Sequence, residues 1–114
     1  MKQIINLTPH AIRVVGKDGQ EIITIPPSGQ LARVAMVKTP AEEIPAGNGI
    51  NIPVNHVTYG DVEGLPDPQP DTIYVASAVV AQAVPHRDDV FVPGDLVRDD
   101  SGAVVGCRGL NKTV

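Results

Sequence analysis

The stretch Thr72-Ile-Tyr-Val-Ala-Ser77-Ala-Val-Val-Ala-Gln-Ala-Val84 constrains the fold more than any other part of the chain, because it is apolar almost throughout and stops at Pro85. Its first half is rich in β-branched residues and reads as a buried strand. Its second half is rich in alanine, and Ser77 offers a hydroxyl to cap a first helical turn. The pattern predicts a strand running into a helix of about two turns near 77–84, buried against a sheet or against another subunit. A continuous buried strand over 73–84 is the alternative. Polar groups at such a junction are rigidly held, and the segment just beyond it, Pro85-His86-Arg87-Asp88-Asp89, is the densest ionisable cluster in the sequence. Junctions after buried strands are where many folds place their ligand sites.

The rest of the chain is cut into short pieces. Eleven Pro and 11 Gly punctuate 114 residues in which Val and Ile far outnumber Leu, a combination that favours short strands and tight turns over helical bundles. The expected fold is one domain over residues 1–114, mainly β within the α+β class. It is drawn as a compact antiparallel sheet or barrel-like domain with one short helix. Gln3 to Leu7 and Ala11 to Val15 are strands interrupted at Thr8-Pro9. Lys17-Asp18-Gly19 turns the second of them into Glu21 to Ile25, the Asp-Gly pair suiting the positive φ that such hairpins require. Leu31 to Val37 is a further strand, and residues 38–49 are a projecting hairpin tip or mobile loop. A parity change after His56 predicts a bulge near His56-Val57. Gly60 to Pro70 reads as a rigid Pro-rich loop, and Val90 to Cys107 as a closing hairpin interrupted at Pro93-Gly94.

Charge and composition exclude several functions. A formal net charge of -4 opposes the counterion release that drives binding to DNA or RNA, so no polymeric nucleic-acid partner is expected. With one Phe, two Tyr and no Trp, no stacking platform for single strands exists. A small anion is different, since two or three converging arginines hold phosphate whatever the global charge. No apolar run approaches the length of a membrane span, and the N-terminal apolar run is too short for a signal peptide. Cys107 is the sole cysteine, which leaves no intramolecular disulfide; it reads as a buried apolar thiol. The expected location is cytosolic, in the host if the chain is phage-encoded.

No Cys-x-x-Cys, His-Glu-x-x-His, phosphate-binding glycine loop or Gly-x-Ser-x-Gly is present, which argues against the common zinc, nucleotide-triphosphate and hydrolase chemistries. His10, His56 and His86 fall on three separate elements, and turn capping or backbone bonding is the simpler role for each. No metal and no cofactor are expected. Asn6-Leu-Thr8-Pro-His10 concentrates an amide, a hydroxyl and an imidazole, which makes either a donor and acceptor set for a polar ligand or an ordered strand end. Asp88 and Asp89 either turn a carboxylate inward beside Arg87 or Arg108 or cap a turn. Arg33 is an exposed edge charge or an anion anchor.

Asn6-Leu-Thr-Pro-His10, Tyr59-Gly-Asp-Val-Glu-Gly-Leu-Pro66, Ile73-Tyr-Val-Ala-Ser77 with Val80-Ala81, Arg87-Asp-Asp89 and Gly106-Cys-Arg108 together resemble a family of small bacteriophage and prophage proteins with an N-terminal Asn-Leu-Thr-Pro-His motif. The resemblance spans nearly the whole chain, is weakest over 38–49, and implies a phage context with no catalytic residue to transfer. Small phage proteins of this size often interfere with host systems, and some act as sponges for nucleotide immune signals such as cyclic dinucleotides or cyclic ADP-ribose isomers. The expected function is such a sponge: a homo-oligomer binding a small phosphorylated or nucleotide ligand without catalysis. Its ligand contacts would come from Asn6, Thr8, His10, Arg33, Tyr59, Ser77, Arg87, Asp88 and Arg108 across a subunit interface built on the apolar 73–84 segment. The alternatives are a protein-binding inhibitor or virion component acting through strand edges and the 38–49 segment, and a small hydrolase using His10 or Asp88.

Overall fold

A computed structural model describes residues 2–112. β1 (Gln3–Asn6) leads through a turn at Pro9 into β2 (Ile12–Val15), which pairs antiparallel with β3 (Glu21–Ile25). Their turn is the predicted one: Gly19 takes φ 81° and the Asp18 carboxylate accepts the Gln20 N–H at 3.0 Å. β4 (Arg33–Pro40) pairs antiparallel with β7 (Asn55–Glu63), and between them β5 (Ile44–Gly47) and β6 (Ile50–Ile52) make a second hairpin. β8 (Thr72–Val75) then runs into α1 (Ala78–Ala83), followed by β9 (Val90–Arg98) and β10 (Val104–Lys112).

The fold is mainly β with one short helix, as the sequence predicts, and the helix lies where Ser77 caps it: the hydroxyl accepts the Val80 N–H at 3.4 Å. Six strands form the main sheet in the order β1-β8-β9-β10-β2-β3. That sheet is mixed rather than wholly antiparallel, since β8 is parallel to both β1 and β9, and β2 is parallel to β10. The reason is the helix. A strand, a helical crossover and a returning strand bring β9 alongside β8 in the same direction, which a tight hairpin cannot do. The outer strands are drawn together at one end, where the Asn6 carboxamide donates to the Ile25 carbonyl at 3.1 Å. The chain beyond β3 folds back there as well, its Ser28 N–H donating to the Asn6 carbonyl at 3.0 Å. This curls the sheet toward a barrel.

Two apolar clusters fill the body. Ile12, Ile25, Val75 and Cys107 pack on one side of the sheet, and Ala76, Val80, Ala81 and Val90 pack under the helix. The 73–84 segment is therefore covered within its own chain, with Tyr74, Val75, Ala76, Val80 and Ala81 all buried. It does not supply the exposed apolar face on which a subunit interface was expected. Cys107 is buried, as expected of an apolar thiol.

Residues 33–63 form an arm of two successive ribbons, with almost every position exposed. Its tip turns through Gly47, Asn48 and Gly49, all at positive φ, so 38–49 is the projecting hairpin rather than a loop. The bulge lies at Val34/Met36 opposite Tyr59 to Val62, not at His56-Val57. The parity change in the sequence instead marks the gap at Pro53-Val54 between β6 and β7. The strand also continues through Gly60 to Glu63, shortening the Pro-rich loop, and Pro93-Gly94 lies inside β9 rather than interrupting it. The arm stretches the molecule to 59 × 38 × 25 Å with a radius of gyration of 18.0 Å, against about 13 Å for a compact chain of this length. No helix among the described residues is long and apolar enough to cross a membrane.

Candidate functional site

The ends of β1 and β8, two parallel neighbours, point to the same edge of the sheet, where the turn after Asn6 meets the Ala76-Ser77 junction. A groove of about 380 Å³ opens there. Its apolar wall is Pro93, Leu96, Val104 and Val105, its base includes Ala76 and Cys107, and its polar members are Thr8, His10, Arg13 and Ser77. Leu96, Val104 and Val105 are 51%, 50% and 40% exposed, so the apolar wall is open to an occupant. Gly106 belongs to the same lining, and a Cβ there would come within 2.9 Å of the Arg13 carbonyl. Only glycine lets β10 approach β2 this closely.

The turn that presents Thr8 and His10 is built around Asn6, which is 1% exposed. Its amide nitrogen donates to the carbonyls of His10 (2.8 Å) and Ile25 (3.1 Å), and its oxygen accepts from the Thr8 N–H (2.9 Å) and hydroxyl (2.7 Å). All four bonding positions of the carboxamide are thereby used inside the protein. Asn6 is a positioning residue. Thr8 and His10 sit on what it holds.

Arg13 is the cation of the groove. Its Nε donates to Glu21 at 3.1 Å, and the Thr24 hydroxyl donates to the same carboxylate oxygen at 2.8 Å. Those two bonds, Thr24 first, hold the Glu21 carboxyl below its ordinary value. Among the described residues no protein acceptor takes the terminal guanidinium nitrogens of Arg13, which face outward from a side chain 44% exposed. Sequence reasoning passed over this arginine. The available signal was its position three residues beyond His10, on the strand that leaves the same turn.

The other predicted residues do not converge on the groove. Arg87 makes a two-pronged pair with Asp89, Nε to Oδ1 at 2.8 Å and Nη2 to Oδ2 at 2.9 Å, and also donates to the Pro66 carbonyl at 3.0 Å. Both side chains are 13% exposed. The pair straps the 66–70 loop to the segment after the helix. Hydrogen bonding from Arg87 holds the Asp89 carboxyl below its usual range against the opposing effect of burial. Asp88 beside it is exposed. Arg33 lies on the arm and pairs across strands with Glu63 at 3.2 Å, the edge role rather than a convergent one. Tyr59 is 63% exposed on the arm, beside a smaller cleft shared with Val34, Val79 and Gln82. Arg108 is exposed and donates to the Gly16 carbonyl at 3.1 Å. Of the nine predicted residues, the groove collects Thr8, His10 and Ser77, with Asn6 holding the first two.

What the fold and groove define is a mainly β protein with a ligand-sized recess at a strand-to-helix junction. No protein-family model, curated protein or solved structure matches the chain.

Proposed function

We propose that the protein captures a small phosphorylated ligand in this groove and holds it without chemistry. In a phage or prophage setting it would act as a sponge for a nucleotide immune signal of the cyclic dinucleotide or cyclic ADP-ribose type. The observation that carries the reading is the make-up of the groove. Its volume, about 380 Å³, lies in the range of small-molecule sites, and such sites combine mostly apolar walls with a few placed polar groups. Leu96, Val104 and Val105 offer a flat apolar surface to a base. The outward guanidinium nitrogens of Arg13 suit a phosphate. Ser77 retains its hydroxyl proton after accepting from Val80, and Thr8 retains acceptor capacity after donating to Asn6. The phage setting rests on the resemblance around Asn6 to His10 and the other shared segments.

The test is to incubate the protein with a panel of nucleotides and cyclic nucleotide signals, then chromatograph the filtrate before and after heat denaturation. One compound should disappear and return unchanged, and Arg13→Ala should weaken its capture by about tenfold or more. Appearance of a new compound would make the protein an enzyme, and full recovery of every compound in the first filtrate would overturn the reading. A protein-binding role is the second reading, favoured by the exposed apolar arm.

A further inference from the structure

The arm is the part of the molecule that the groove does not use, and by itself it is physically incomplete. Two-stranded ribbons are marginal in water unless further strands or a packed face support them, yet β5, β6 and nearly all of β4 and β7 are exposed. Register places Met36 opposite Tyr59 and Lys38 opposite Val57, so Met36, Val57 and Tyr59 share one face of the ribbon. At the tip Ile44 lies opposite Ile52, with Ile50 two residues away on the same side. These six side chains are 37% to 63% exposed. Together they offer about 600 Å², most of the roughly 800 Å² that each partner contributes to a standard interface.

The two edges of the ribbon differ. β4 carries Lys38, Pro40 and the bulge at Val34/Met36, three devices that discourage a neighbouring strand. β7 runs Asn55-His-Val-Thr-Tyr-Gly60 with neither proline nor lysine. It is an unguarded edge, and an antiparallel pairing of identical strands about a two-fold axis satisfies it with no other partner, each residue meeting its symmetry mate's counterpart reciprocally. We infer that the free edge of β7 pairs with β7 of a second copy, joining two arms into a four-stranded sheet whose doubled Met36, Val57 and Tyr59 face forms the centre of a homodimer. This inference is independent of the groove and of what the groove binds.

Sedimentation equilibrium of the full chain tests it. The wild type should be a dimer, and the double variant Val57→Lys/Tyr59→Lys should self-associate at least about tenfold more weakly with an unchanged far-UV spectrum. Ile22→Lys, at a 68% exposed position on β3 in the body, should associate as the wild type does. A monomeric wild type at its highest soluble concentration, undiminished association of the double variant, or loss of association in Ile22→Lys would each overturn the inference; the first would leave the arm to a different protein. Should the double variant misfold, hydrogen exchange on the wild type decides the matter. Amides within 55–60 should gain protection as concentration rises, and concentration-independent exchange there would overturn the pairing.

Discussion

The six-stranded body and the arm are written in the same residues and meet opposite fates. β8 and β7 both mix β-branched and aromatic side chains, yet Tyr74 and Val75 are buried to 1% and 0% while Val57 and Tyr59 remain 37% and 63% exposed. Local preference for an extended backbone is satisfied in both. What differs is the company each strand keeps: β8 has a strand on either side, and the helix that follows it folds back over the strand-to-helix junction, whereas β7 has β4 alone. Strand propensity specifies the conformation of a segment and leaves open whether anything covers it.

That comparison can be broken by substitutions matched for size. Tyr74→Ala should have the largest effect, about 3–5 kcal/mol of destabilisation in urea, because it empties a core position and leaves the Asp67 carbonyl without the phenol that donates to it at 3.1 Å. A loss near 1 kcal/mol would mean that the body around β8 collapses readily and differs less from the arm than its burial implies.

Asp89→Asn comes next, at about 3 kcal/mol, since it leaves a shielded Arg87 without its counter-charge. Here pH sharpens the comparison. The folded-state value of Asp89 is depressed below the ordinary 3.8. Its contribution is therefore complete above that value and is lost as the pH falls through the lowered one. Stability curves of wild type and variant should lie apart at neutral pH and draw together in acid below about pH 4. A constant gap would place the cost in packing rather than charge.

The smallest effect belongs to the arm. Ile50→Ala, at 59% exposure, should change monomer stability by less than about 0.5 kcal/mol, measured where the protein is dilute enough to be dissociated. A larger loss there would show that the tip packs on something within its own chain.

Much of the local structure could be read from neighbouring residues. Asp18-Gly19 names its turn because positive φ is cheap only for a few residue types. Ser77 followed by alanines names a helix start because the cap and the propensity act within one turn. The parallel run of β1, β8 and β9 could not be read in this way, because strand direction depends on where the chain returns and not on the residues that return. The same limit applied to the site. Thr8, His10 and Ser77 were visible as polar groups beside strand ends. Arg13 was not, because its place in the groove depends on β10 lying against β2 across Gly106. Arg87 looked like a ligand anchor until its partner, Asp89, was seen to occupy the guanidinium from two residues away.

The sequence alone determined a mainly β protein with one capped helix, a first hairpin at Asp18-Gly19, and a polar turn at Asn6 to His10, all features governed by interactions within a few residues of one another. Only the tertiary structure decided that the sheet is mixed, that the 73–84 segment is covered by its own chain, that Arg13 joins the groove, and that the apolar surface left open lies on the arm. Those outcomes depend on contacts between residues distant in the chain, and burial, unlike propensity, is a property of such contacts.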